Sequence, residues 1–429
     1  MRRLSISLLM LFLAVSSGKA AFTATGGTGN APFVVTPPAS TGLEKVFVSN
    51  GNQGLTLLFE AAQPSDWTWY TFLQDPDNAT PVDPSLVTVT GQTTILGSVT
   101  TDAGYFVSNL TGERHYVYVV AWKPVGYISL TVQPEGDVCT EVILQAQAGG
   151  GDMVYYTVAG LKRTLEREHR LTWTTATWQE ANETYVDQPQ SSTFTTMGVN
   201  WSVAAPLCDT EFRLTGDQYG RWFDAEESLA IANYKALAVK ANAKASVELR
   251  NVPNENGVST GELVGSAPLT VTFSSRPSAA VNLVEWLIYK PGDEASYTRF
   301  TDEELTYTFK ESGRYTVKLF VSNAHCKDSA EFNPQVHESM LDCPNFFTPR
   351  SSPGDNDEFR VAYKSIVSFK GVIVNRWGNV LFQWSDPSIG WDGTYKGKAV
   401  SPGAYYYMIE AKGADGIVYK KSGDINLLE

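Results

Sequence analysis

An all-β chain of tandem immunoglobulin-like β-sandwich domains is the fold class that the sequence predicts. Three observations carry it. Apolar residues recur at every second position in short runs along most of the 429 residues, the period of a half-buried strand. The chain holds 20 Tyr, 20 Phe and 11 Trp beside abundant Thr and Val, side chains that suit a pleated surface. Its 35 Gly and 21 Pro punctuate those runs at turn spacing. At roughly 100–150 residues per domain, the length holds three or four such units.

The first segment reads as a targeting signal. Arg2 and Arg3 open it, Leu4 to Ser17 is apolar, and Gly18 and Ala20 stand at cleavage offsets, so residues 1–20 are a signal peptide and Ala21 the mature N-terminus. Loss of Arg2, Arg3 and Lys19 takes the net charge from −13 to −16. An acidic surface of that size excludes nucleic acid and anionic lipid as partners, because phosphate would be repelled. Export also places the four cysteines in an oxidising compartment. Cys139, Cys208, Cys326 and Cys343 allow three pairings, and proximity favours Cys139–Cys208 and Cys326–Cys343. A metal site is disfavoured, since no pair has CxxC spacing and no histidine stands at ligand spacing.

Residues 21–31 read as a flexible leader, the start of a Gly/Thr/Pro-rich stretch. A first sandwich-like domain spans 32–135: Leu55, Leu57 and Phe59 alternate, Trp67 to Leu73 interleaves aromatics with Thr, and Tyr116, Tyr118, Val120 and Trp122 share one strand face. A second β-rich domain spans 136–245, opened by Cys139, Val142 and Leu144 and resumed by Leu171, Trp173, Phe212 and Leu214. Within it Leu161 to Arg170 reads as a helical turn or a solvated loop. Asp224 to Leu237, rich in Ala and Glu, is the best helix candidate.

In the third unit, 246–338, Leu269, Val271 and Phe273 alternate, then Val284, Trp286 and Ile288, then Leu305, Tyr307 and Phe309, then Tyr315, Val317, Leu319 and Val321. The segments Gly265–Phe273 and Leu305–Leu319 resemble a PKD domain, a resemblance that implies a spacer or interaction module without catalysis.

From residue 340 to 429 about seven short strands are legible, separated by turn signals at Arg376-Trp-Gly-Asn379, Trp391-Asp-Gly393 and Asp415-Gly416. The segments NRWG (375–378), WDG (391–393), PGAYYY (402–407) and KKSGDINLL (420–428) strongly resemble the gliding-motility-associated C-terminal domain, the type B sorting domain of type IX secretion in Bacteroidota. One departure is a Pro353-to-Asp357 loop in place of a longer Asn-Gly-Asp-Gly loop. The resemblance implies passage through the type IX translocon and association with a PorP/SprF-like outer-membrane β-barrel, so that the chain meets the membrane through a protein partner at the cell surface. Sorting or docking then falls to Arg376, Trp377, Gly378, Trp391, Asp392, Gly393, Tyr405, Tyr406, Tyr407, Ile425, Leu427 and Leu428. The final strand is expected to pair with a partner's edge, with Trp384 or Tyr406 as exposed anchors.

Each feature has a plainer reading. Trp377 and Trp391 are expected to fill the sandwich core, whereas Arg376 needs a partner inside the domain or beyond it. Asp355, Asn356 and Asp357 are candidate calcium ligands or an Asx-rich turn, and no other cofactor is implied. The aromatic strands Trp67–Phe72 and Tyr116–Trp122 suit core packing better than a carbohydrate platform. His115, His169, His325 and His337 belong to no triad, and HExxH and P-loop patterns are missing. The expected function is therefore that of a non-catalytic envelope protein, a structural or machinery component docked on a barrel. A surface adhesin or glycan-binding cargo is the second reading, and an enzyme with an unrecognised N-terminal site the third.

Overall fold

The computed structural model describes residues 21–225, 228–349 and 356–428. The expected signal peptide, 1–20, lies outside the described residues. Strands dominate the described chain and form four sandwich-like units in order, and no described helix is long and apolar enough to cross a membrane.

The first unit packs a four-stranded sheet, ordered Ala21–Thr25, Thr56–Glu60, Thr93–Leu96, Val87–Thr90, on a six-stranded one. The larger sheet runs Phe33–Val35, Lys45–Ser49, Arg114–Ala121, Ala103–Ser108, Thr68–Phe72, Thr80–Pro81. Between them lie Phe22, Phe47, Leu57, Phe59 and Trp69, the indole donating to Thr94 Oγ1 at 2.8 Å. The expected leader is thus corrected. Ala21–Thr25 pairs along its whole length with Thr56–Glu60, and Phe22 is fully buried. That burial stabilises by about 2 kcal/mol, enough to hold an edge strand down.

Lys45–Ser49 and Ala103–Ser108 are buried almost continuously, without alternation. The reason is a second covered face. Val46, Val48, Phe106, Tyr118 and Val120 point away from the first sandwich's own core and meet Met153, Tyr155, Leu165, Tyr219 and Phe223 from later in the chain. A hairpin (Val154–Tyr156 with Lys162–Thr164) and a one-turn helix (Gln218–Trp222) supply that cover. The charged stretch from Leu161 is therefore part strand. The helix expected at Asp224–Leu237 is also corrected. Leu229–Tyr234 is a strand paired across six positions with Thr210–Thr215, and this ladder outweighs alanine's helix propensity. The observed helix lies just upstream, where Asp217 caps it by accepting from Gly220 N at 2.8 Å.

The second sandwich begins earlier than the expected boundary at 136. Gly126–Gln133 pairs with Glu141–Gly149, which pairs with Asn200–Ala204. The facing sheet is ordered Thr184–Phe194, His169–Gln179, Thr210–Thr215, Leu229–Tyr234, over a core of Leu144, Leu171, Trp201, Phe212 and Leu214. In the third unit Ala243–Val247, Leu269–Ser275 and Glu304–Phe309 face Thr298–Phe300, Leu283–Tyr289, Thr316–Ser322 and Lys327–Phe332. Trp286 is fully buried there and donates to Asp302 O at 3.0 Å. The last unit is built on a five-stranded sheet, ordered Phe346–Phe347, Val418–Leu427, Gly403–Gly413, Ile366–Val374, Val380–Trp384.

The cysteine pairing expected from proximity is corrected. Cys139 bonds Cys326, Cα–Cα 5.4 Å, and Cys208 and Cys343 are free thiols. The Val138–Cys139 loop packs on the third unit's core, bringing two loops together across a sequence separation of 187. Loop-closure cost grows only logarithmically with length, so sequence distance is a poor guide to pairing. Burial raises the pKa of both free thiols, which holds them protonated.

Polar contacts lock every joint. Between the first two units, buried Asp217 also accepts from Trp122 Nε1 at 3.3 Å and Arg167 Nη1 at 3.1 Å. Nearby His169 is 3% exposed and bonded to Tyr127 Oη at 2.7 Å. Burial pulls its pKa down to about 4, aided by Arg167 and Arg221 and opposed by Asp217. Between the second and third units, beside the disulfide, Asn323 Nδ2 donates to Leu237 O at 2.8 Å and Asn242 Nδ2 to Tyr185 Oη at 2.7 Å. Between the third and fourth, Ser266 Oγ bonds Glu255 Oε1 at 2.6 Å and accepts from Ser365 N at 2.7 Å. Arg250 Nη2 meets the same Glu255 oxygen at 2.9 Å, and Asn254 Nδ2 reaches Val361 O and Pro387 O.

Candidate docking surface

Alternation in the long strand Gly403–Gly413 sorts the expected docking residues onto two faces. Tyr405 and Ile409 point inward and are buried, and Tyr405 Oη donates to Ser401 O at 2.6 Å. Tyr407 packs on the same core beside Cys343, and burial, with that thiol close by, pushes its pKa up to about 12. Tyr406 and Met408 point outward at 44% and 52% exposure. Register carries this face across the sheet, since Tyr406 stands beside Val374, Met408 beside Val372, and Val374 beside Val380. The outer face thus presents an apolar strip one or two residues deep across three strands, flanked by Lys370, Glu410 and Lys420.

At one end of the strip stands the Asn375–Asn379 hairpin turn. Asn375 Oδ1 accepts from Trp377 N and Asn379 N, both at 3.0 Å, and Gly378 takes φ +84°, where a side chain would be strained. This turn holds Trp377 away from the domain at 71% exposure, and the Arg376 guanidinium lies 4.2 Å from the indole centroid. The expectation that Trp377 fills the core is corrected, and Arg376 has the neighbouring ring as its partner. At an exposed site such a stack contributes about 0.5–1 kcal/mol and mainly fixes the direction of both side chains. Trp and Arg are among the residue types in which interface hot spots are enriched.

The other expected site residues are internal. Trp391 is 1% exposed and donates to Thr394 O at 2.9 Å, Asp392 Oδ1 accepts from Thr394 N at 2.9 Å, and Gly393 turns at φ +75° against Leu427. These three build a turn, and Ile425 and Leu427 are fully buried core. Leu428 is 48% exposed. Trp384, expected as an exposed anchor, is 6% exposed because it lies over Gly371, where a Cβ would come within 2.6 Å of the ring. The free-edge expectation for the final strand is narrowed. Phe346–Phe347 pairs in parallel with Asn426–Leu427, and upstream of Asn426 no described strand pairs with that side.

Of the candidate calcium ligands, Asp355 lies outside the described residues. Asn356 is in a left-handed turn at φ +55° with its carbonyl accepting from Thr348 N at 2.7 Å, and no group of three or more His, Cys, Asp or Glu among the described residues is placed to hold a metal. Sequence reasoning missed Val372, Val374, Val380 and Met408. The period-2 pattern around Tyr406 was the signal that marks the last of them.

Residues 341–426 match the family model of the CHU_C Type IX secretion signal domain, and residues 131–231 match that of a Fibronectin type III domain. No curated protein matches the chain. Among solved structures it is similar to Sidekick-1 immunoglobulin domains 1–5, at 11% identity and a TM-score of 0.24 over 84% of this chain and 73% of that one. It is also similar to the mouse nectin-like molecule 4 ectodomain, at 13% identity and a TM-score of 0.23 over 65% of this chain and 93% of that one. Dimeric latent PorU from Porphyromonas gingivalis is similar at 13% identity and a TM-score of 0.16, over 71% of this chain and 34% of that one. These structural likenesses carry no argument about function. The C-terminal match does, because a type IX secretion signal marks cargo that engages that machinery and is exported to the cell-surface and outer-membrane region.

Proposed function

We propose that the chain is a non-catalytic component of the cell envelope, exported through the type IX translocon and docked by its C-terminal unit on a PorP/SprF-like outer-membrane barrel. The observation that carries this reading is the outward Arg376–Trp377 pair at the end of the Val372–Val374–Tyr406–Met408 strip, a sheet face that no other part of the described chain covers. The third unit, read as a PKD-like spacer, and the locked joints suit an arm held at a set angle from that dock. Residues 1–20 are the signal peptide that starts the route.

The test is affinity purification of the tagged protein from gently solubilised outer membranes. A stoichiometric barrel is expected with the native chain and is lost with Trp377→Ala together with Met408→Ala. Barrel recovery unchanged by that pair of substitutions overturns the docking face. Export unchanged after deletion of residues 340–429 overturns the sorting role.

A further inference from the structure

The second sandwich carries a groove that the docking reading does not use. Its strand His169–Gln179 pairs with Thr184–Phe194 over eleven positions but with Thr210–Thr215 over only three, Arg170 to Thr172. Past Thr172 the two partners diverge and are tied through side chains: Thr174 N donates to Thr210 Oγ1 at 2.9 Å, Leu207 N to Thr175 Oγ1 at 3.1 Å and Cys208 Sγ to Thr174 O at 3.8 Å. The split opens a groove of about 1010 Å³, at the upper end of the range for small-molecule sites.

Its walls are unusual in two respects. Trp173 and Tyr234 line it while resting on the buried Phe212 at 5.9 and 5.8 Å, so the floor is a pair of rings fixed by the core. Around them the side chains of Arg170, Asp187, Gln190 and Asn233 line the groove and make no hydrogen bond to any described residue. Donors and acceptors are therefore present together, with their bonding capacity unspent. The charges balance, since Arg170, Arg213 and Lys235 face Asp187, Asp209 and Glu211. Neutral sugars present an apolar C–H face to aromatic rings and hydroxyls that both donate and accept. A net-neutral groove with such a floor matches that chemistry and gives no preference to an anion.

We infer that this groove binds a neutral oligosaccharide, with Trp173 and Tyr234 as the platform and Asp187 and Gln190 among the hydroxyl-reading groups. The site lies in the second of the four units and the docking face on the fourth, so either can fail alone. The test is titration calorimetry of the full mature chain against hexasaccharides of the cello-, xylo-, manno-, laminari- and malto- series, with polygalacturonate as the acidic control. At least one neutral series is expected to bind with a Kd below about 1 mM. Asp187→Ala and Gln190→Ala, both at solvent-facing positions, are each expected to weaken it roughly fivefold or more while leaving the thermal transition unchanged. Binding of no neutral series, binding of the acidic polymer alone, or binding indifferent to both substitutions overturns the inference.

Discussion

The six-stranded sheet of the first unit and the five-stranded sheet of the last are made of the same material and end differently. Both are twisted, antiparallel in most pairs and rich in Val and Tyr. The first is covered on both faces, by its own sandwich partner and by the hairpin and helix borrowed from the second unit. The last is covered on one, and its outer strip of Val372, Val374, Tyr406 and Met408 faces solvent beneath an exposed tryptophan. The chain evidently has spare segments to cover a sheet and uses them at one end only. A bare apolar strip beside a preoriented Trp–Arg pair has the character of an interaction surface.

The comparison breaks first at the doubly covered sheet. Tyr219→Ala removes a fully buried ring from its second face, and about 3–5 kcal/mol of stability is expected to go with it, read as a lowered first transition in calorimetry. A change below 1 kcal/mol would mean that the borrowed cover is ornamental. Next, replacing Cys139 and Cys326 together by Ser is expected to cost about 2–4 kcal/mol at the second joint. It should expose the Ala205–Leu237 region to limited proteolysis, and an unchanged digestion pattern would show that the polar contacts suffice.

His169 sharpens the picture with pH. Its folded pKa is depressed, so the unfolded chain binds the extra proton. The stability it supplies is complete above about pH 6.5 and falls away toward pH 4, by about 2–3 kcal/mol across that window. Acid melts of the native chain and of His169→Asn should differ in that range, and parallel curves would remove histidine from the joint. The smallest effect is expected at the bare face. Met408→Ala should change folding stability by less than about 0.5 kcal/mol, a shift only chemical denaturation resolves, while reducing barrel recovery.

Much of this was legible in the residues, for reasons the structure makes plain. The last unit announced itself through turn chemistry, because Gly378, Gly393 and Gly416 each occupy positive φ and leave little choice of residue. The Trp286 strand of the third unit was visible through clean alternation. The borrowed cover was not, since a helix of one turn has no periodicity to read. Even so, the unbroken run Val46-Phe-Val48 was itself a sign of two buried faces. Trp377 was misread because tryptophan composition says nothing about direction, which the side chain of Asn375 sets. The disulfide failed for a related reason: loops far apart in sequence meet only once the domains stack.

That disulfide also decides how the protein carries a load. A pull applied between the N-terminal sandwich and the C-terminal unit enters the covalent bond at Cys139 and leaves at Cys326, bypassing the chain between them, a sequence separation of 187. Tension on the arm cannot draw out the chain between the two cysteines, which holds the second sandwich, apart from its first strand, Gly126–Gln133, and most of the third. Under reduction the same pull could release about 600 Å of hidden chain, so the redox state of one bond separates a stiff tether from an extensible one.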